Sequence, residues 1–139
     1  MQDDTQELLL AHRYGVDGII YLTISGKINN DQLLKYSIWA DEVKNMIRER
    51  SLLGDDPILV LSDISGVTHF ERKPIVVLKE LLSYDSQFHI RSAIVGGTRF
   101  AVLVLDSITS LLRRSDVRHF GDKKTALEWL LKSKKVEHA

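Results

Sequence analysis

Two strand-to-helix junctions in this chain carry residue types that can hold an anion or accept a phosphoryl group. The first reads Ser62-Asp63-Ile64-Ser65-Gly66-Val67-Thr68 and continues to Glu71-Arg72-Lys73-Pro74. A phosphate at a helix start gains from free backbone amides and the helix dipole, and it changes the charge of any surface that docks there. Ser65 and Thr68 are hydroxyls that could take the group, whereas Arg72 and Lys73 could receive an anion from a partner; a solvated helix entrance accounts for the same charges. The second junction reads Gly96-Gly97-Thr98-Arg99. Its glycines let a ligand approach the backbone, so Gly97, Thr98 and Arg99 form a candidate site for a phosphate or carboxylate. The segment matches neither a P-loop nor a dinucleotide fingerprint, and a glycine turn capped by Thr98 explains it without a ligand.

Catalytic chemistry finds less material. His12, His69, His89, His119 and His138 offer imidazoles, but no two share a predicted helix at a spacing of three or four. No carboxylate stands beside one of them in a metal motif, so packing and surface roles are the expectation. Ser65 lacks the first glycine of a nucleophile elbow. The chain has no cysteine, which removes thiol catalysis, thiolate metal sites and disulfides. The expectation is a non-enzyme without cofactor or metal.

The 139 residues fit one domain spanning 1–139, with enough length for a core of its own. Nineteen basic residues balance nineteen acidic ones, so no long-range field draws the chain to nucleic acid or an anionic membrane, and little charge opposes self-association. The acidic start, Met1-Gln2-Asp3-Asp4, lacks the basic and apolar parts of a signal peptide, and no apolar run is long enough to span a bilayer. A cytoplasmic protein is the default expectation.

The elements that must position the two junctions follow from periodicity. Extended runs at 8–14 and 19–25 flank Gly15-Val16-Asp17-Gly18, an antiparallel hairpin signal, and Gly26 is expected to break the second strand. Asn29, Asn30 or Asp31 can cap a helix with Leu33, Tyr36, Ala40, Val43 and Ile47 inward. Trp39 and Met46 lie at the edge of that stripe, where core packing is the expected role. Ile58-Leu59-Val60-Leu61 is apolar throughout, as in a central strand with both faces covered. A helix from near Pro74 to about Ser86 turns Ile75, Leu78, Leu81 and Leu82 inward. After a buried strand at 92–95, a third helix carries Ala101, Val104, Leu105, Ile108, Leu111 and Leu112 on one side. Its Phe100, Val102 and Leu103 widen the apolar surface beyond what one sheet face needs. A short strand, Val117-Arg118-His119-Phe120, precedes a helix with Ala126, Leu127, Leu130 and Leu131 inward, and the polar end from Lys132 is expected to fray. The predicted fold class is α/β: a mixed central sheet with an N-terminal antiparallel hairpin followed by αβαβαβα.

This layout resembles the STAS domain of bacterial anti-sigma-factor antagonists, in which a strand ending in an acid leads to a helix opening with Asp-Ser-Ser-Gly or similar. By position, Asp63 matches the strand-end acid, and Glu71, Arg72, Lys73 and Pro74 fall on the four helix-opening residues. The closing segment, with Val117-Arg118-His119-Phe120 and Ala126-Leu127-Glu128-Trp129-Leu130, resembles the SpoIIAA-like branch, whose members end in Val-Arg-x-Phe and Ala-x-x-Trp-Leu. The resemblance implies a regulatory module whose partner surface lies around Asp63, Ser65, Thr68, Glu71, Arg72 and Lys73. The family's phosphoacceptor hydroxyl is replaced here, so kinase-controlled switching at those slots is not expected. The apolar surplus around Phe100, Leu103 and Ser107 is expected to meet a protein partner or a second copy in a homodimer. As an alternative, the chain carries a small apolar or anionic ligand, since a lipid-binding fold related to Sec14 shares the arrangement.

Overall fold

The apolar run at 58–61 begins the middle strand of a five-stranded sheet. The computed structural model describes residues 8–112 and 116–138, and the side chains of Phe100 and of 133–138 lie outside the described set. The elements are β1 (Leu9–Tyr14), β2 (Ile19–Ile28), a 3-10 turn (Asn30–Gln32), α1 (Leu33–Leu52), β3 (Ile58–Phe70), α2 (Arg72–Asp85), β4 (Ile90–Val95), α3 (Arg99–Leu111), β5 (Val117–Phe120) and α4 (Lys123–His138). The sheet order is β1-β2-β3-β4-β5, antiparallel for the opening hairpin and parallel thereafter. The mixed α/β architecture predicted from periodicity is the one observed.

β3 alternates between two cores, which is why its sequence is apolar without a break. Ile58, Val60, Ile64 and Val67 face the larger core with α1, α2 and α3. Leu59 and Leu61 face a smaller core closed by Ala126 and Leu130 of α4. On the larger side α1 buries Tyr36, Trp39, Ala40, Val43 and Ile47, and α2 buries Leu78, Leu81 and Leu82. Each Val, Leu or Ile among them contributes about 1.5–3 kcal/mol by leaving water. Trp39 is buried and its indole N–H donates to the Ala11 carbonyl at 3.2 Å, while Met46 packs against the same core, as expected for both.

Four expectations are corrected. Gly26 does not end β2: the strand continues to Ile28, because Gly26 takes φ 93° and the β2–β3 register shifts on either side of it absorb the extra residues. The stretch after Asp63, which by sequence reads as the junction between strand and helix, is likewise strand, since residues 66–70 of β3 pair with this second half of β2. Leu111, expected inward, is 72% exposed, because it lies in the last turn of α3 beyond the buried Ile108. The segment from Lys132, expected to fray, is helical in α4 as far as His138, and its Lys and Glu residues favour helix.

Candidate functional site at the carboxyl end of the sheet

In parallel α/β sheets, binding sites form beyond the carboxyl ends of the strands, and both candidate junctions meet there. β4 stops at Val95, paired with Asp63, while β3 runs on to Phe70. Gly96 and Gly97 then turn the chain from β4 into α3 at φ 80° and 98°. A Cβ on Gly96 would sit 2.5 Å from the Ser65 Cβ and 2.6 Å from its Cα; one on Gly97 would sit 2.7 Å from the Ile64 Cδ1. Gly96 is thus required by close approach to the β3 backbone as well as by φ, and Gly97 by φ, since the end of the Ile64 side chain can give way. Two junctions separated by some thirty residues of sequence become one surface.

Around Ser65 the chemistry is settled locally. The Asp63 carboxylate accepts from the Ser65 amide at 3.0 Å and from its hydroxyl at 2.6 Å, and Ser65 is exposed. A phosphate on Ser65 would lose this hydrogen bond and place a dianion beside a carboxylate. Gly66 is explained by the same closeness, since its Cβ would lie 2.5 Å from the Cβ of Ser25 on β2.

The α2 entrance is tied to the segment that follows β2. The Glu71 carboxylate accepts from the Asn30 amide at 2.6 Å, and the Asn30 side chain accepts from the Lys73 amide at 3.0 Å. The reciprocal pair resembles a capping box assembled from distant parts of the chain. Its donors hold the Glu71 carboxyl below the usual carboxylate range, with the Asn30 amide the largest cause and His69 the next. Asn30, expected as a cap for α1, therefore caps α2, and α1 begins from the 3-10 turn without a side-chain cap. Arg72 and Lys73 stand exposed in the first turn of α2.

At α3 the Thr98 hydroxyl accepts from the Ala101 amide at 3.1 Å, and Arg99 is exposed. The His119 imidazole donates to the Gly96 carbonyl at 2.7 Å, bracing the glycine turn from β5. Between these segments opens a cleft of about 430 Å³ lined by Val67, Thr68, His69, Phe70, Thr98 and Ala101. Of the candidates on α3, Leu103 is 59% exposed, and Ser107 donates back to the Leu103 carbonyl at 2.9 Å. Phe100, named with them, lies outside the described side chains.

His12, His69 and His89 each face a single carboxylate, from Glu42, Glu71 and Asp56. Among the described residues no three His, Asp or Glu side chains gather as a metal site, and no helix is long and apolar enough to cross a membrane.

Asn30 and His119 are the site residues that sequence reasoning missed. Asn30 lies forty-three residues from the amide it caps, so no local pattern marks it. His119 was read as a strand residue, and its partner is a backbone carbonyl on another strand.

No family model matches the sequence, and no curated protein matches it closely enough to count as a relative. Solved structures do match. One is described as the overall structure of SLC26A9, at TM-score 0.63 and 14% identity over 86% of this chain; the match spans 21% of that longer chain. Another is an uncharacterized protein of the DUF3478 family with a SpoIIAA-like fold from Shewanella loihica PV-4, at TM-score 0.58 and 19% identity, covering 94% of this chain and 98% of that one. The five-strand mixed sheet, its antiparallel opening hairpin and its four helices agree with the second match nearly end to end, and the chain has a SpoIIAA-like fold.

Proposed function

We propose that this chain is a non-enzymatic binding and regulatory module whose protein partner docks at the carboxyl end of the sheet. One observation carries the reading: the glycine turn after β4 meets β3 at Ser65, and beside it opens a cleft lined by Val67, Thr68, His69, Phe70, Thr98 and Ala101, next in sequence to the charged entrances of α2 and α3. Charged side chains there set specificity and encounter rate, with Arg72, Lys73 and Arg99 favouring an acidic partner segment. Ser65, held by Asp63, is a docking residue and not a phosphoacceptor. An anion held at Gly97, Thr98 and Arg99 would be the partner's own carboxylate.

The test is a photo-crosslinking amino acid placed at Thr68, with the same group at Asp41 on the far helix as a control. A discrete adduct at Thr68, lost in Arg72→Glu/Lys73→Glu, is the expected result. Equal labelling at both positions, or none, overturns the proposal.

A second reading concerns α3. The exposure of Leu103, at 59%, and of Leu111, at 72%, on the apolar helix α3 favours a homodimer through Leu103 and its neighbour Ser107.

A further inference from the structure

α4 closes its face of the sheet through Ala126 and Leu130, and beside them its Trp129 lies against two arginines. The Arg91 guanidinium sits 3.8 Å and the Arg118 guanidinium 5.3 Å from the centre of the indole ring. Phe120 packs on the same ring, with 5.4 Å between centroids. Register accounts for the grouping. Arg118 of β5 is the partner of Ala93 on β4, and Arg91 lies two residues before Ala93, so the two arginines rise from one sheet face as diagonal neighbours.

Stacking on the indole favours each cation, but it does nothing to offset one against the other. Burial lowers the pKa of Arg91 from the ordinary arginine value, the Arg118 charge lowers it further, and Asp116 acts in the opposite sense. A guanidinium does not give up its proton in a protein, so Arg91 keeps its charge while losing much of its water. Its Nε is buried and has no hydrogen-bond partner among the described residues. Neither arginine takes part in an ion pair among those residues. Folded proteins seldom leave a buried donor in this state, least of all a charged one beside a like charge.

An anion resolves both costs, and the geometry selects its kind. One guanidinium fork already satisfies a planar carboxylate, whereas a tetrahedral oxyanion offers oxygens in several directions to forks that arrive from two strands. A phosphate also carries up to two negative charges against the two arginines. Arg118 is exposed and Trp129 half-buried, so the pair opens to solvent at the edge strand.

We infer that Arg91 and Arg118, held against Trp129, form a binding site for a phosphate group, either free or as a monoester. Arg91 is the second residue of β4, at the opposite end of that strand from the Gly96 turn. The site is therefore separate from the proposed docking surface and does not rest on it.

The experiment is an NMR titration of the whole chain, at fixed pH and ionic strength, with inorganic phosphate, glycerol phosphate and acetate. The Arg91 Nε–H and the Trp129 indole N–H are the reporters. Phosphate is expected to shift both saturably, and acetate to bind about tenfold more weakly or less. Arg118→Gln, a change at an exposed side chain, should weaken phosphate about tenfold or more. Arg13→Gln, which removes a cation stacked on Tyr21 at 4.1 Å, should leave it unchanged. Glycerol phosphate binding as tightly as phosphate assigns the site to a monoester, and binding of inorganic phosphate alone assigns it to the free ion. Three results overturn the inference: no saturable shift, as for a stack that only packs α4 on the sheet; acetate matching phosphate; or phosphate binding that survives Arg118→Gln or falls equally in Arg13→Gln.

Discussion

At the scale of single residues, the carboxyl end of the sheet is held together by backbone groups and the side chains that satisfy them. Asn30 illustrates the energetics: its side chain occupies an amide at the α2 entrance that would otherwise need water or a ligand. Asn30→Ala is expected to cost about 1 kcal/mol in urea unfolding, the usual size of a lost cap. Glu71 adds a pH dependence of definite sign. Its pKa is lowered in the folded state from an ordinary 4.5, so its contribution is present above that value and fades as pH falls through the lowered one. The Asn30 amide resonance should therefore titrate with a midpoint below 4.5, and a midpoint at or above it would show that the link does not form. Gly96 is constrained twice, by positive φ and by the Ser65 backbone. Gly96→Ala is expected to destabilise by about 1–3 kcal/mol, and an unchanged melting curve would contradict the packing described. At Ser65, incubation with cellular kinases should leave the hydroxyl unmodified, as mass spectrometry of the peptide spanning 62–73 would report.

Among the elements, the two sheet faces are unequally covered. Three helices share one face, whereas α4 closes the other through Ala126 and Leu130. Leu130→Ala is therefore expected to cost about 2–5 kcal/mol, since no second helix stands ready to collapse into the space. At dilutions where the chain is monomeric, Leu103→Ala, on the outward side of α3, should change stability by less than about 0.5 kcal/mol. A larger cost at concentrations where the chain pairs would follow from the cover that a second copy gives Leu103. The paired extensions of β2 and β3 matter at this scale as well. Carrying β3 to Phe70 places Thr68 and His69 on a rigid strand opposite the start of α3, which a loose loop would not do.

For the molecule as a whole, zero formal charge leaves recognition to short-range complementarity. The homodimer reading makes a direct demand. Sedimentation at several concentrations should show a dimer for the native chain and a folded monomer for Leu103→Glu. A native chain that stays monomeric throughout, or a variant that stays dimeric, removes α3 as the contact.

The sequence by itself determined the order and type of nearly every element, because hydrophobic period, glycine turns and the doubly apolar run at 58–61 are local signals of burial. It also placed β3 at the centre and the candidate residues at strand-to-helix junctions. Tertiary structure alone decided that Gly26 and the stretch after Asp63 are paired strand, since hydrogen bonding between β2 and β3 outweighs the glycine and polar residues that locally read as breaks. It alone joined Ser65 to Gly96, Asn30 to Lys73 and Arg91 to Trp129. These juxtapositions depend on the register and spacing of separate elements, and one chain's residue pattern records which face each element buries but not what it will meet there.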